Sequence, residues 1–227
     1  TKARKILIEE SRTKGAALLI KSMKEIPNDI IAYISASAIG WYGPDSKTQK
    51  SKFTEDDPHF GDFLGHTCGK WEDSVAPVIE LNKRLVILRT GIVLSNEGGA
   101  LVEFNKPLKF GLATILGSGK QVISWIHIDD LVRLYILAIE NEKMKGVYNA
   151  VAPGPVTNKE LILTLAKEKR KNFFVPVHVP SFALKVVLGE MSIEVLKSAT
   201  VSCDKIKATG FRFIFPTIKS AIENLEK

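Results

Sequence analysis

Short, nearly continuous apolar runs separated by stretches of helical spacing constrain this chain more than any other feature. Asp29 to Ser35 (DIIAYIS), Arg84 to Thr90 (RLVILRT) and Gly146 to Ala152 (GVYNAVA) carry almost no polar alternation. That is the pattern of parallel strands covered on both faces, not of strands with one side in water. Between and around them lie helical segments. Ile6, Leu7, Leu18, Leu19 and Met23 fall on apolar helix positions of the opening stretch, and Phe63, Cys68, Trp71, Val75 and Val78 do so over Asp62 to Glu80. Helix then strand, repeated, implies βαβ crossovers and a doubly wound parallel sheet.

The middle of the chain is looser. After Leu94 come SNEGGA, an amphipathic stretch from Leu101 to Phe110 and the Gly117-Ser118-Gly119 turn, a kind of region that commonly carries binding. Val122 to Ile126 reads as strand, and Asp129 or Asp130 caps a helix from about Leu131 to Asn141. Thr157 and Glu160 have capping-box spacing ahead of a helix from Asn158 to about Lys169. FFVPV, a short helix from Ser181 to Leu188, GFRF and a helix from Thr217 to Lys227 complete a small mixed lobe. The expected division is 1–152 for the large domain, with 95–121 covering the substrate, and 153–227 for the lobe.

With 227 residues, 45% hydrophobic and 25% charged, the chain can bury a full core. The net charge of +7 favours anionic ligands or reflects a well-solvated lysine-rich surface, and since the lysines are spread out and no basic run is interleaved with aromatics, nucleic acid is not an expected partner. Cys68 and Cys203 are the only cysteines, which suggests neither a disulfide framework nor a zinc site and fits a reducing cytoplasm. No long apolar span or basic-then-apolar leader is present, so no membrane partner is expected. The oligomeric state is not legible.

Three segments in order, SASAIGWYG at Ser35 to Gly43, LRTGIVL at Leu88 to Leu94 and WIHIDDL at Trp125 to Leu131, resemble extended short-chain dehydrogenase/reductases. GDFLGHTCGKWE, the long GGALVEFNKPLKFGLATILGSGKQVISWIHIDDL segment and GVYNAVAPGPVTNKEL are similar to the nucleoside-diphosphate-sugar epimerase-like subfamily. LGEMS and GFRFIFPTIKSAI match that subfamily's C-terminal extension, which has no assigned function. The resemblance implies a Rossmann-like fold, NAD or NADP as cofactor, and an epimerase or oxidoreductase acting on a small molecule, a nucleotide sugar among the candidates. A catalytically degenerate dinucleotide sensor or scaffold is the alternative.

Such proteins open on a glycine-rich strand-turn-helix that holds the cofactor pyrophosphate. No such turn occurs here; Gly98-Gly99 lacks the GxGxxG spacing. The expectation is that two or three βα units, on the order of 70 residues, are missing upstream, and that the chain by itself binds dinucleotide weakly or not at all. The resemblance further implies that Ser35, Ala36 and Ser37 lie beside the nicotinamide, with Ser37 matching the hydroxyl that bonds the reacting oxygen. Arg89, Thr90, Gly91 and Ile92 line the same end through backbone groups, or Arg89 is instead a structural ion-pair residue.

The family's acid/base chemistry uses a tyrosine and a lysine one helical turn apart, so that the ammonium lowers the tyrosine pKa. With Glu72 as the register mark, those positions hold Leu64 and Cys68. His66 and Lys70 repeat the spacing two positions later, which at ~100° per residue puts them on the opposite helix face. Tyr42 remains as a catalytic candidate or a packing aromatic. His127 remains as a substrate contact or a structural hydrogen-bonding group. Lys106, with Lys109 and Trp125, falls in the substrate-covering region, where lysines either touch a phosphate or sugar or face water. No metal site is expected.

Overall fold

The computed structural model describes residues 2–46 and 52–227. In chain order the elements are α1 (Lys2–Glu25), β1 (Ala32–Ala38), a 3-10 turn (Ile39–Trp41), α2 (Phe63–Val75), a second 3-10 turn (Ala76–Leu81), β2 (Arg84–Thr90) and β3 (Ile92–Leu94). Next come α3 (Ala100–Leu108), β4 (Leu112–Leu116), β5 (Val122–Ile123), β6 (Trp125–His127), α4 (Ile128–Glu140), β7 (Gly146–Ala150), β8 (Val156–Thr157) and α5 (Asn158–Arg170). The chain finishes with β9 (Val175–Val179), α6 (Ser181–Leu188), α7 (Met191–Leu196), α8 (Asp204–Ala208) and α9 (Ile218–Leu225).

β1, β2 and β7 form a parallel sheet in that order. Because successive strand residues point to opposite faces, Leu85 and Ile87 go one way and Val86 and Leu88 the other. The first pair packs with Val75, Val78 and with Ala16 and Ile20 of α1. The second packs with Leu131, Leu134 and Ala138 of α4 and Ile206 of α8. Helices therefore cover both faces, which is why RLVILRT reads as a continuous apolar run. Each such fully buried aliphatic side chain contributes about 1.5–3 kcal/mol. The remaining strands pair as β3–β6 and β4–β9, both parallel, and β5–β8, antiparallel. Leu101, Leu108, Ala113, Ile115 and Trp125 share one further core with α5 and α9.

Several expected boundaries shift for identifiable reasons. β1 starts at Ala32, and Ile30 and Ile31 lie outside it and exposed, because pairing with β2 begins only where Arg84 N donates to Ile31 O. On α1 the buried residues are Ala16 and Ile20, whereas Ile6, Leu7, Leu18 and Leu19 face outward. The expected helix over 62–80 is α-helical only to Val75. Pro77 lacks an amide hydrogen and crowds the preceding turn, so the chain tightens into the 3-10 turn that stops at left-handed Asn82. The α4 cap is His127, whose Nδ1 accepts the Asp129 amide at 3.0 Å, and not Asp129 or Asp130. At α5, Thr157 Oγ1 accepts from the Glu160 amide at 3.1 Å.

Two contacts tie the later part of the chain to the sheet. Fully buried Asp130 accepts the amides of Ile214 and Phe215, each at 2.9 Å, and Arg133 Nη1 at 2.9 Å. Lys197, also buried along its side chain, donates to Tyr42 O at 3.2 Å and lies 2.9 Å from Glu194 and 3.8 Å from Asp62. No helix among the described residues is long and apolar enough to cross a membrane.

Candidate functional site

Ser37, Arg89 and Asn149 form a single rung across β1, β2 and β7, close to the carboxyl ends of all three strands. In-register neighbours of a parallel sheet share a face, so the three polar side chains sit on the side covered by α2. The Ser-Ala-Ser sequence sends Ser35 and Ser37 to that face and Ala36 to the other. Asp62 starts α2 by accepting the Gly65 amide at 2.8 Å, and from that start the helix delivers Glu72 over the rung.

The Glu72 carboxylate is gripped from three directions. Ser37 Oγ donates to Oε1 at 2.6 Å, Arg89 Nε to Oε1 at 2.9 Å and Arg89 Nη2 to Oε2 at 2.9 Å. This bidentate fork is the strong form of the Arg–carboxylate pair, and both side chains are buried. Arg89 Nη1 continues to Tyr42 Oη at 3.0 Å and to the Glu55 carbonyl at 3.1 Å. The Trp41 ring caps the guanidinium at 3.6 Å. Tyr42 Oη donates to Asn149 Oδ1 at 2.7 Å, and the Asn149 amide donates to the Glu55 carboxylate at 2.7 Å.

Burial drives the electrostatics of this network. It pulls the Arg89 pKa down, but the Glu72 hydrogen bonds and charge, together with Tyr42, outweigh it and leave the guanidinium above its ordinary value. Burial pushes Tyr42 up to about 12 against the pull of Arg89. It pushes the Cys68 thiol up to about 11, with the Glu72 charge adding to the effect. The arrangement is a charge-satisfied brace. Tyr42 is fully buried with its hydroxyl engaged on both sides, so it packs and bonds in this structure and presents no acid or base to an opening. The Ser37 hydroxyl is likewise committed to Glu72.

The other expected residues are dispersed. Ser35 Oγ donates locally to Ala36 O at 3.0 Å, and Thr90 Oγ1 to Leu88 O at 3.3 Å. Gly91 is required by crowding: a Cβ there would lie 2.7 Å from Ser124 O and 2.8 Å from Val151 Cγ1. Trp125 is in the core beneath α5, its Nε1 donating to Gly154 O at 2.8 Å. His127 is buried, stacked on Phe215 at 3.9 Å; burial lowers its pKa against the opposing charges of Asp129 and Asp130. Lys106 is exposed and paired with Glu103 at 2.6 Å. With Lys109, Lys169 and Asn105 it lines a cleft of about 400 Å³ that shares no residue with the rung.

α2 presents Leu64 and Cys68 to the turn after β1. A Cβ on Gly40 would lie 3.4 Å from Leu64 Cβ and 3.7 Å from Cys68 Sγ, and Cys68 Sγ donates to Ala38 O at 3.6 Å. His66 and Lys70 lie on the exposed side, against His59 at 5.3 Å and Glu9 at 2.6 Å.

For a nicotinamide ring the strand ends offer backbone and a partly open apolar side chain, Ile92, which is 40% exposed. They also hold Asn149 Nδ2, a buried donor without a partner among the described residues. These features fit the flat, polar-edged end of the cofactor through backbone and apolar contact. Ser37 and Arg89 do not offer their side chains to it. Among the described residues no group of His, Cys, Asp and Glu could hold a metal ion.

In the sequence Glu72 stands out only as a register mark, and Asn149, Glu55 and Trp41 carry no local signal of their place in this network. The available signal was Arg89 inside an apolar strand run: a buried guanidinium demands a carboxylate, and Glu72 falls on the helix face that also carries Cys68.

The model of the NAD dependent epimerase/dehydratase family matches residues 102–150, and that of a domain of unknown function matches residues 179–225. An epimerase family protein of Staphylococcus saprophyticus is 37% identical over 227 residues, 99% of this chain and 74% of the relative. A human epimerase family protein solved with NADPH superposes with a TM-score of 0.90 at 28% identity, covering 100% of this chain and 75% of that one. A nucleoside-diphosphate sugar epimerase from Corynebacterium glutamicum gives 0.78 at 30% identity, covering 100% of this chain and 44% of that one.

Proposed function

The chain belongs to the NAD dependent epimerase/dehydratase family, and from that premise we propose that the carboxyl ends of β1 and β2 receive the nicotinamide end of a dinucleotide together with a small substrate. The observation that carries the reading is the Ser37–Arg89–Asn149 rung, locked from α2 by Glu72. It holds the two strand ends at fixed spacing and orientation. Residues Ser35 to Ser37 and Arg89 to Ile92 then line the ring chiefly through backbone groups, while Trp125 and His127 support that edge only from the core and Lys106 lies in a separate cleft. A bound nicotinamide supplies hydride acceptance and return. The chain supplies a preorganised, dry edge for it.

At Leu64 an isobutyl group has no proton to move, and at Cys68 a neutral thiol supplies no field comparable to an ammonium. This favours a second reading, a cofactor-binding sensor or scaffold. A nucleotide sugar is the first substrate class to try, because the Corynebacterium relative is named for one, and NADPH the first cofactor, because the human relative was solved with it. No glycine-rich pyrophosphate turn lies within these 227 residues, so their dinucleotide affinity is expected to be weaker than micromolar.

The test combines a thermal-shift titration with NADH and NADPH and a turnover assay across pH on nucleotide sugars and small carbonyl compounds. A shift only at millimolar cofactor, or none, is expected of these 227 residues, and a shift at micromolar NADH or NADPH overturns the expectation that the pyrophosphate turn is required. L64Y/C68K should create or raise hydride transfer. Loss of an existing activity in His66→Ala or Lys70→Ala, with the fold intact, would transfer the proton relay to that pair.

A further inference from the structure

Two phenylalanines stand almost bare beside one another. Phe110 is 83% exposed and Phe173 81%. Each lies two residues ahead of the first in-register pair of the β4–β9 ladder, Leu112 and Val175. Val175 N donates to Gly111 O at 2.8 Å, and a Cβ on Gly111 would lie 3.5 Å from Phe173 O and 3.6 Å from Arg170 Nη2. The turns that follow α3 and α5 are therefore packed together at the start of that ladder. Phe174 packs against the core, whereas Phe173 does not. Leu112 and Val175, themselves exposed, continue the apolar surface from the two rings. A lone exposed apolar residue is ordinary, but a contiguous group built around two bare rings is not.

A collar of cations surrounds the rings. Lys106 and Lys109 come from the last turn and cap of α3, and Lys167, Lys169 and Arg170 from the last turn of α5, which Lys171 caps. Lys106, Lys109 and Lys169 line one cleft, so the two sets of charge make one field. Glu103 and Glu226 are taken up by Lys106 and Lys169, while Lys109, Lys167 and Lys171 form no ion pair among the described residues. Lysines at helix ends complement the helix dipole, but that role asks for no aromatic ring beside them. We propose that this surface docks on an anionic lipid bilayer, with Phe110 and Phe173 pressed between headgroups and acyl chains and the collar resting on lipid phosphates.

The mixture of side chains selects a bilayer over other anionic partners. Single-stranded nucleic acid uses aromatic faces as stacking platforms, and the aliphatic Leu112 and Val175 offer it no π face. A bilayer accepts aromatic and aliphatic groups alike to a depth of ~5–10 Å, and its anionic surface attracts each lysine or arginine held close to it. No helix among the described residues is long and apolar enough to cross a membrane, so the contact is one of adsorption. The sequence gives no sign of it because the surface is assembled from positions 106–112 and 167–175, which come together only in the fold.

The test is co-sedimentation of the 227-residue chain with lipid vesicles in ~0.1 M salt, where the Debye length is ~10 Å. The chain should bind vesicles of equal parts phosphatidylglycerol and phosphatidylcholine, and bind pure phosphatidylcholine at least ~10-fold more weakly. In ~1 M salt, where screening shortens that length to ~3 Å, the preference should shrink. Phe110→Ala and Phe173→Ala should each lower the affinity on the order of 10-fold, and Lys109→Gln and Lys167→Gln about 5-fold each. All four side chains are exposed, so far-UV circular dichroism and Tm should not change. Phe182→Ala, on α6, should leave binding as it is. F110W should be quenched by bromine placed on the acyl chains of bound vesicles, which adsorption by charge alone would not produce. Equal affinity for neutral and anionic vesicles, binding to neither, an unquenched F110W on bound vesicles, loss through F182A but not F110A, or tighter binding of a thymidine oligonucleotide that F110A abolishes each overturns the proposal.

Discussion

Glu72→Gln tests the brace most directly, because it keeps the shape of the side chain and removes only its charge. Arg89 would remain buried, with its Nε and Nη2 donors facing an amide in place of the carboxylate that now takes both at 2.9 Å. Removing one partner of a buried ion pair typically costs about 3–5 kcal/mol, since the other charge is left uncompensated. The glutamine oxygen can still accept one hydrogen bond, which favours the lower end. At roughly 2–4 °C per kcal/mol for a chain of this size, the expected fall in Tm is at least 6 °C, about the product of the smaller values. Scanning calorimetry supplies Tm, and urea unfolding checks ΔG at an unchanged m-value. The combined variant Glu72→Leu with Arg89→Met should recover much of the loss, because it removes both charges together. An E72Q protein within about 0.5 kcal/mol of wild type, the ordinary range for surface substitutions, would refute the reasoning.

Three further outcomes follow from the same physical chemistry. Tyr42 rises from 10.0 to about 12 and Cys68 from 9.0 to about 11 in the folded chain; each therefore contributes stability that is complete below its unfolded value and lost as pH climbs through the folded one. Tm measured from pH 9 to 12 should fall progressively, and Cys68→Ala should flatten the early part of that fall. His127, lowered from 6.5 by burial, has the opposite sign: its contribution is present above pH 6.5 and drains away as pH falls, so an acid-side Tm series should flatten in His127→Asn. That asparagine can keep the cap acceptor for the Asp129 amide, making it more stable than His127→Ala by ~1 kcal/mol in urea unfolding near pH 8. Asp130→Asn swaps one acceptor oxygen for a donor against the Ile214 and Phe215 amides and should cost about 1.5–3 kcal/mol per charge-assisted bond lost, read from the same unfolding curves.

The central layers were legible because parallel strands under two helix layers must be apolar on both faces, and RLVILRT obeys that from Leu85 to Leu88. The resemblance carried the strand-end residues to one end of the sheet, where Ser37 and Arg89 indeed share a rung. What stayed hidden depended on distance in sequence. Nothing local links Ser37 to Glu72 or Tyr42 to Asn149, pairs separated by 35 and 107 positions. Side-chain direction was hidden too: Ile6 and Leu18 read as apolar helix positions, but the face α1 turns to the sheet belongs to Ala16 and Ile20. The Pro77 break was visible in the sequence and should have ended the helix at its preceding turn.

The Asp130 clasp has a consequence for motion. Its carboxylate, fully buried, belongs to α4, while the two amides that it holds precede α9, so it ties the two segments together from the buried side. Pulling the 214–215 segment away from α4 would strand a carboxylate charge and two amides at once. Microsecond-to-millisecond displacement of the 214–215 segment away from α4 is therefore disfavoured here. The Ile214 and Phe215 amides should therefore exchange hydrogen more slowly than their unbonded neighbours in the same segment.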